Sequence, residues 1–174
     1  MARQALLGLG ANLGDPPAMF RWAADELDAA GMEGMRLSAL YRSAGINAEG
    51  NFFNAALTGH WAGSARDLLD LCLDIERRTG RLRTTTNAPR LLDIDLLLFA
   101  QEECDDEHLR LPHPRMHLRR FALEPACDLV PALVHPHTRR SLIDMLFDRK
   151  IQAQEVRRVD WPKAECGARD RGHL

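Results

Sequence analysis

The run Leu92-Asp93-Ile94-Asp95-Leu96-Leu97-Leu98-Phe99 constrains this chain more than any other stretch. Carboxylates two residues apart share one face of a strand but fall on opposite sides of a helix. Four apolar residues then follow without a break, so the segment predicts a strand over Leu92 to Phe99 that starts half exposed and finishes buried.

Other segments fit around it. Residues 4 to 9 read as a buried strand, followed by a turn rich in residues that tolerate positive φ (Gly8, Gly10, Asn12, Gly14, Asp15). Asp15 is a good N-cap and Pro16 suits a first helical turn; Met19, Phe20, Trp22, Ala23, Leu27 and Ala30 form one face of a helix that Gly31 closes. Strands are expected at 35 to 42 and Phe52 to Trp61, with a loop over Ser43 to Asn51 between them. A second helix runs from Ser64 to Thr79, with Leu68, Leu69, Cys72, Leu73 and Ile75 apolar and Gly80 where a C′ glycine belongs. Arg81 to Pro89 has no hydrophobic period and reads as a mobile loop.

The order strand, helix, strand, strand, helix, strand predicts an α+β chain with a ferredoxin-like βαββαβ core, its helices on one face of an antiparallel sheet. Residues 100 to 145 add short elements broken by Pro112, Pro114, Pro125, Pro131 and Pro136, with a short helix from Ser141. The charged tail after Lys150 forms a C-terminal extension, expected to be partly disordered at its end. Neither a repeat nor a domain boundary interrupts the 174 residues, so a single domain over 1–174 is expected.

Composition narrows the function. A net charge of -2 provides no basic field for nucleic acid or an anionic membrane. No stretch approaches the roughly 20 apolar residues of a membrane span, and the amino terminus lacks a signal-peptide pattern, so a cytoplasmic protein is expected. Cys72, Cys104, Cys127 and Cys166 are scattered without C-x-x-C spacing, which argues against a zinc cluster or a disulfide framework.

Asp93 and Asp95 are the strongest candidates for chemistry. Their Cα atoms would lie about 6–7 Å apart along a strand, and two such hard oxygen donors suit Mg²⁺, which takes its remaining ligands from water and phosphates. A solvated strand edge also carries D-x-D, and the flanking sequence shifts the balance. Arg77, Arg78, Arg81, Arg83 and Arg90 precede the pair with no acid among them; Arg110, Arg115, Arg119 and Arg120, with His113 and His117, follow it in another acid-free segment. Cations on both sides of an anionic pair are what a metal-polyphosphate site requires. No G-x-x-x-x-G-K-[ST] loop is present, so phosphates would be held by side chains. His113 and His117 are four apart, but Pro112 and Pro114 surround the first, against a zinc-binding helix.

Several motifs in order resemble the 6-hydroxymethyl-7,8-dihydropterin pyrophosphokinases of folate biosynthesis. They are Gly8-Leu9-Gly10-Ala11-Asn12-Leu13-Gly14-Asp15, Tyr41-Arg42-Ser43, Asn51-Phe52-Phe53-Asn54, Glu76 to Arg83, Ala88-Pro89-Arg90-Leu91-Leu92-Asp93-Ile94-Asp95, and Leu111 to Met116 leading to Arg119 and Phe121. Thr86 and Asn87 stand where members commonly carry a basic and then an aromatic residue. The resemblance implies a ferredoxin-like enzyme that transfers the β,γ-pyrophosphoryl group of ATP to the pterin hydroxymethyl group and releases AMP. It implies that Asp93 and Asp95 bind two Mg²⁺ ions, and that Arg81, Arg83, Arg90, His113 and Arg119 contact phosphates with Glu76 near the nucleotide. Arg81 and Arg90 would act in catalysis beside the two Asp residues. Ser43, Phe52, Asn54 and Phe121 would form the pterin pocket, and loop 81–89 would close over ATP. A monomer acting on ATP and the pterin, without nucleic acid or membrane, is the expected form. Two other readings remain open at this level: a Mg-dependent nucleotidyltransferase that releases pyrophosphate, and a catalytically silent ferredoxin-like binding module.

Overall fold

The computed structural model describes residues 1–44, 51–80 and 90–162. Strand β1 (Arg3–Ala11) lies inside an antiparallel sheet, between β4 (Asn51–Trp61) and β5 (Asp93–Phe99). The sheet runs β5-β1-β4-β3-β8, where β3 is Leu40–Ala44 and β8 is Val156–Val159, and β2 (Glu33–Leu37) also pairs with β4. A two-stranded ribbon of β6 (Cys104–Asp105) and β7 (Arg110–Leu111) follows β5.

Helices α1 (Pro16–Ala29) and α2 (Ala65–Arg78) begin as the capping residues dictate: Asp15 accepts the Ala18 amide at 3.1 Å, and Ser64 and Asp67 cap each other reciprocally. Gly31 and Gly80 follow these helices at φ +98° and +83°. Phe20, Ala23 and Leu27 of α1 and Leu68, Cys72 and Ile75 of α2 bury against Ala5, Leu7, Leu9, Leu57, Ile94 and Leu96.

The alternate face of the sheet is also covered, by helices outside the expected βαββαβ core. Leu6, Ala56, Leu97 and Leu98 pack against α3 (Arg120–Leu129), α4 (Leu142–Leu146) and Met116 of the 3-10 turn Met116–Leu118. Sequence reading missed α3 because Pro125 lies inside it and removes one donor from its ladder. Burial of Ala122, Leu123, Pro125 and Ala126 sustains the helix nonetheless.

One further expectation is corrected, and the tail gains structure that the sequence did not show. The single strand at 35 to 42 is two strands, β2 and β3. The break is chemical: Ser38 donates its amide to Ala56 O at 2.9 Å while its hydroxyl accepts the Ala56 amide at 2.8 Å, so a side chain replaces one rung of the ladder. The tail after Lys150 begins within α5 (Arg149–Gln152) and continues into β8 on the edge of β3. Trp161 then crosses to Phe20 at 6.4 Å between ring centroids and donates to Ser38 O. The expected disorder at the end of the tail, and loop 81–89, lie outside the described residues. Cys72, Cys104 and Cys127 are free thiols.

The second core cluster should unfold together with the first. Leu123→Ala removes a fully buried side chain and should cost about 2–5 kcal/mol. Urea unfolding followed by tryptophan fluorescence and far-UV circular dichroism should give one shifted, coincident transition; two separate transitions would contradict a shared core.

Candidate active site

Register decides which residues meet. Gly10 on β1 faces Asn54 on β4 and Asp93 on β5; Gly8 faces Ala56 and Asp95. Neighbouring strands lie about 4.8 Å apart, so Asn54 and Asp93 stand roughly 10 Å apart across Gly10. A Cβ at Gly10 would come within 3.8 Å of Asn54 Oδ1 and 3.9 Å of Asp93 Cβ. Without that carbon a trough crosses the sheet, with an amide on one bank and two carboxylates on the other.

The carboxylate bank is tightly held. Asn12 Oδ1 accepts the Arg90 amide at 2.7 Å and Asn12 N donates to Arg90 O at 3.0 Å, which seats Arg90 so that its guanidinium pairs with Asp93. On the outer edge of β5, buried Glu76 accepts the Ile94 amide at 2.7 Å, between the two aspartates. This carboxylate satisfies an edge-strand donor that would otherwise be orphaned. Desolvation, then the negative charges of Asp93 and Glu76, push the Asp95 carboxyl up to about 6. Arg119 and Arg90 oppose the shift.

His113 reaches the site from the segment after β7. Its amide bonds Leu97 O at 2.9 Å, and its Nδ1 accepts the Arg115 amide at 3.2 Å. Nε2 therefore carries the proton and lies 4.0 Å from Asp95 Oδ1. Burial and the nearby Arg119 and Arg115 push His113 down to about 4, so at neutral pH it is an uncharged donor and not the cationic half of an ion pair. Arg119 sits between the 3-10 turn and α3, its guanidinium 5.4 Å from the Phe121 ring. It makes no ion pair among the described residues; Asp95 and Asp93 attract its charge while burial and Arg115 oppose it.

On the opposite bank, Asn54 Nδ2 donates to Ser43 Oγ at 2.9 Å, and both residues are buried. Among the described residues the Asn54 carbonyl oxygen and the Ser43 hydroxyl proton have no further partner, which leaves an acceptor and a donor for a ligand. Phe52 is paired opposite Ser43 on the same face, and Phe52 and Phe121 are both half-buried, as aromatic walls with one free side are.

A cavity of about 370 Å³ adjoins the aspartates on the outer side of β5. Leu69, Leu73 and Glu76 of α2 form one wall, and His108, Arg110 and His113 belong to the other. Of the five apolar residues expected on one face of α2, Leu68, Cys72 and Ile75 are fully buried, while Leu69 and Leu73 are half-buried beside the cavity; their offset from the buried row was the available sign of a second apolar surface. The glycine trough was also missed as a site feature.

Asp93, Asp95, Glu76 and His113 line this cavity; Arg119 and Arg90 act on Asp95 by charge, Phe121 lies beside Arg119, Ser43, Phe52 and Asn54 share the opposite bank, and Arg81 and Arg83 lie outside the described residues. The two cationic segments are thinner than the residue count suggested. Arg78 pairs with Glu26, Arg110 with Asp105 at 3.2 Å, and Arg120 with Glu124 at 2.6 Å.

The model of the 7,8-dihydro-6-hydroxymethylpterin-pyrophosphokinase family matches residues 6–131. The 2-amino-4-hydroxy-6-hydroxymethyldihydropteridine pyrophosphokinase of Methylorubrum extorquens is 38% identical over 134 residues, which cover 75% of this chain and 85% of the relative. That of a Synechocystis species is 33% identical over 144 residues, 82% of this chain and 74% of the relative. The fold is similar to the crystal structure of wild-type Plasmodium falciparum HPPK-DHPS, with a TM-score of 0.67 at 12% identity over 91% of this chain. This chain spans 48% of that longer one.

The electrostatics of Asp95 make a measurable prediction. With its carboxyl raised from 3.8 to about 6, the folded protein holds a proton that the unfolded chain has released between those values. Stability of the metal-free protein should therefore fall as pH rises through that window. Asp95→Asn should flatten this slope and raise Tm by a few degrees at pH 7.5 in EDTA; a lower Tm would contradict the assignment of Asp95 as a crowded, destabilising charge.

Proposed function

The chain belongs to the 7,8-dihydro-6-hydroxymethylpterin-pyrophosphokinase family and transfers the pyrophosphoryl group of ATP to hydroxymethyldihydropterin in folate synthesis; we propose that the trough across β4, β1 and β5 is where this transfer occurs. The transverse row Asn54, Gly10, Asp93 carries the assignment. It offers recognition of a flat polar ring on one side and of charge on the other, separated by about the width of such a ring.

Asp93 and Asp95 are the residues that would hold magnesium, as two ions. The donor set fits: two carboxylates two residues apart on one strand face, the proton affinity of Asp95 raised by burial and by the charges of Asp93 and Glu76. A site of that kind leaves most coordination positions to water and phosphate oxygens. Bound there, the ions supply neutralisation of phosphate charge and lower the proton affinity of the attacking hydroxyl.

The protein's own groups then position and screen. Asn54 and Ser43 present an acceptor and a donor to the pterin edge, and Phe52 and Phe121 enclose its faces. Leu69 and Leu73 give the nucleoside an apolar wall in the cavity beside β5. Arg119 and Arg90, with Arg81 and Arg83 from sequence, meet phosphoryl oxygens by charge-assisted bonds, and neutral His113 donates through Nε2. The pterin hydroxymethyl oxygen bonds to the β-phosphorus, the bond from the β-phosphorus to the oxygen shared with the α-phosphorus breaks, AMP leaves with that oxygen, and the hydroxyl proton passes to water. Alignment of the two reactants supplies much of the rate gain, with no covalent intermediate on the protein.

The strand order β5-β1-β4-β3 supports a ferredoxin-like core to which α3, α4, α5 and β8 are added. No helix of the described residues is long and apolar enough to cross a membrane. A cytoplasmic, single-domain monomer whose partners are ATP and the pterin is part of the same proposal.

Incubation with ATP, Mg²⁺ and 6-hydroxymethyl-7,8-dihydropterin should yield AMP in proportion to pterin diphosphate; release of inorganic pyrophosphate instead would indicate nucleotidyl transfer. Asp95→Ala should lower turnover at least a hundredfold, and a loss under about tenfold, roughly 1.4 kcal/mol of barrier, would contradict its role. Asn54→Ala should raise KM for the pterin about tenfold, the equivalent of one or two hydrogen bonds, with KM for ATP within about twofold of the parent. Equal effects on both substrates would remove Asn54 from pterin recognition.

A further inference from the structure

The family match ends at residue 131, yet the chain beyond it returns to both banks of the trough. Gln154, just after α5, sends its side-chain amide to the junction between the 3-10 turn and α3. Oε1 accepts the Arg120 amide at 2.9 Å and Nε2 donates to Leu118 O at 2.8 Å. These two peptide groups flank Arg119, whose backbone is extended at φ -125° and ψ 113°. A neighbouring parallel strand would bond such a residue through the same two groups, so one side chain does here what a strand would do. Arg120 returns the contact, its guanidinium bonding Gln152 O and Gln154 O, each at 3.1 Å. Two residues further on, Val156 pairs with Ser43 on the pterin bank.

Arg119 needs such a brace. Its guanidinium is half-buried, repelled by Arg115 and without an ion pair among the described residues. Rotation of its flanking peptides would let the side chain swing into water, which would relieve its burial and the repulsion of Arg115 but give up the attraction of Asp95 and Asp93.

We infer that Gln154 is a positioning residue that holds Arg119 toward Asp93 and Asp95, as part of a C-terminal strap joining the two banks of the trough. The inference rests on the assignment of Arg119 to the phosphates. Gln154→Met keeps the volume and removes both bonds; Gln154→Glu keeps the acceptor for Arg120 and loses the donor to Leu118. In the parent, kcat/KM should fall about tenfold for Gln154→Met and about threefold for Gln154→Glu, equivalent to about 1.4 and 0.6 kcal/mol. In an Arg119→Ala background both changes should cost less than about twofold, because a residue acting through Arg119 has nothing left to position. A fall by the same factor in both backgrounds would reduce Gln154 to general stability and overturn the proposal. So would parent-like activity of Gln154→Met where Arg119→Ala alone costs more than tenfold. If Arg119→Ala alone costs less than twofold, the assignment of Arg119 fails first and takes the proposal with it.

Discussion

The registration of β1 against its two neighbours is the constraint on which the site depends. Gly10 must face Asn54 and Asp93 together, and a slip of one residue on either side would turn that partner to the opposite face of the sheet. The slip is opposed by the core: Ala5, Leu7, Leu9 and Ala11 are buried under α1 and α2, while Leu6 belongs to the second cluster under α3 and α4. Burial on both faces therefore fixes a geometry that polar residues use. Glu76 adds a pin at the outer edge, where β5 has no further strand among the described residues and the Ile94 amide would otherwise lack an acceptor there.

The same packing sets the charges. Three carboxylates, Asp93, Asp95 and Glu76, converge on one end of β5, and burial, reinforced by the charges of Asp93 and Glu76, keeps a proton on Asp95 to higher pH than usual. Around them the protein sets guanidinium groups and a neutral imidazole. His113 is denied its charge by burial and by Arg119 and Arg115, so it donates a hydrogen bond without adding another cation to a crowded site. Carboxylates and guanidinium groups therefore face each other across the end of β5, each favouring the charged form of the other.

Much of this was legible in the sequence, for local reasons. Two aspartates in a period of two, ahead of an unbroken apolar run, could only share a strand face. Helix α1 and helix α2 announced themselves through Asp15, Ser64 and the glycines beyond them. What was not legible depended on contacts distant in sequence. Ser38 divides β2 from β3 by bonding Ala56, Pro125 hides a helix that tertiary burial sustains, and β8 is four residues that become a strand only because β3 offers an edge. Counting arginines also overstated the site, since Arg78, Arg110 and Arg120 are committed to Glu26, Asp105 and Glu124. The Ser43–Asn54 bond and the trough of Gly10 required the register, which no spacing within one segment reveals.

Calorimetric titration with a nonhydrolysable ATP analogue, with and without Mg²⁺, tests the central assignment most directly when the parent is compared with an Asp93→Asn, Asp95→Asn double variant. Mg²⁺ should tighten nucleotide binding to the parent at least tenfold and change binding to the double variant by less than about twofold, while pterin binding, measured alone, stays within about twofold of the parent. Equal Mg²⁺ dependence in the two proteins would contradict the claim that these two carboxylates bring metal and phosphate to the trough.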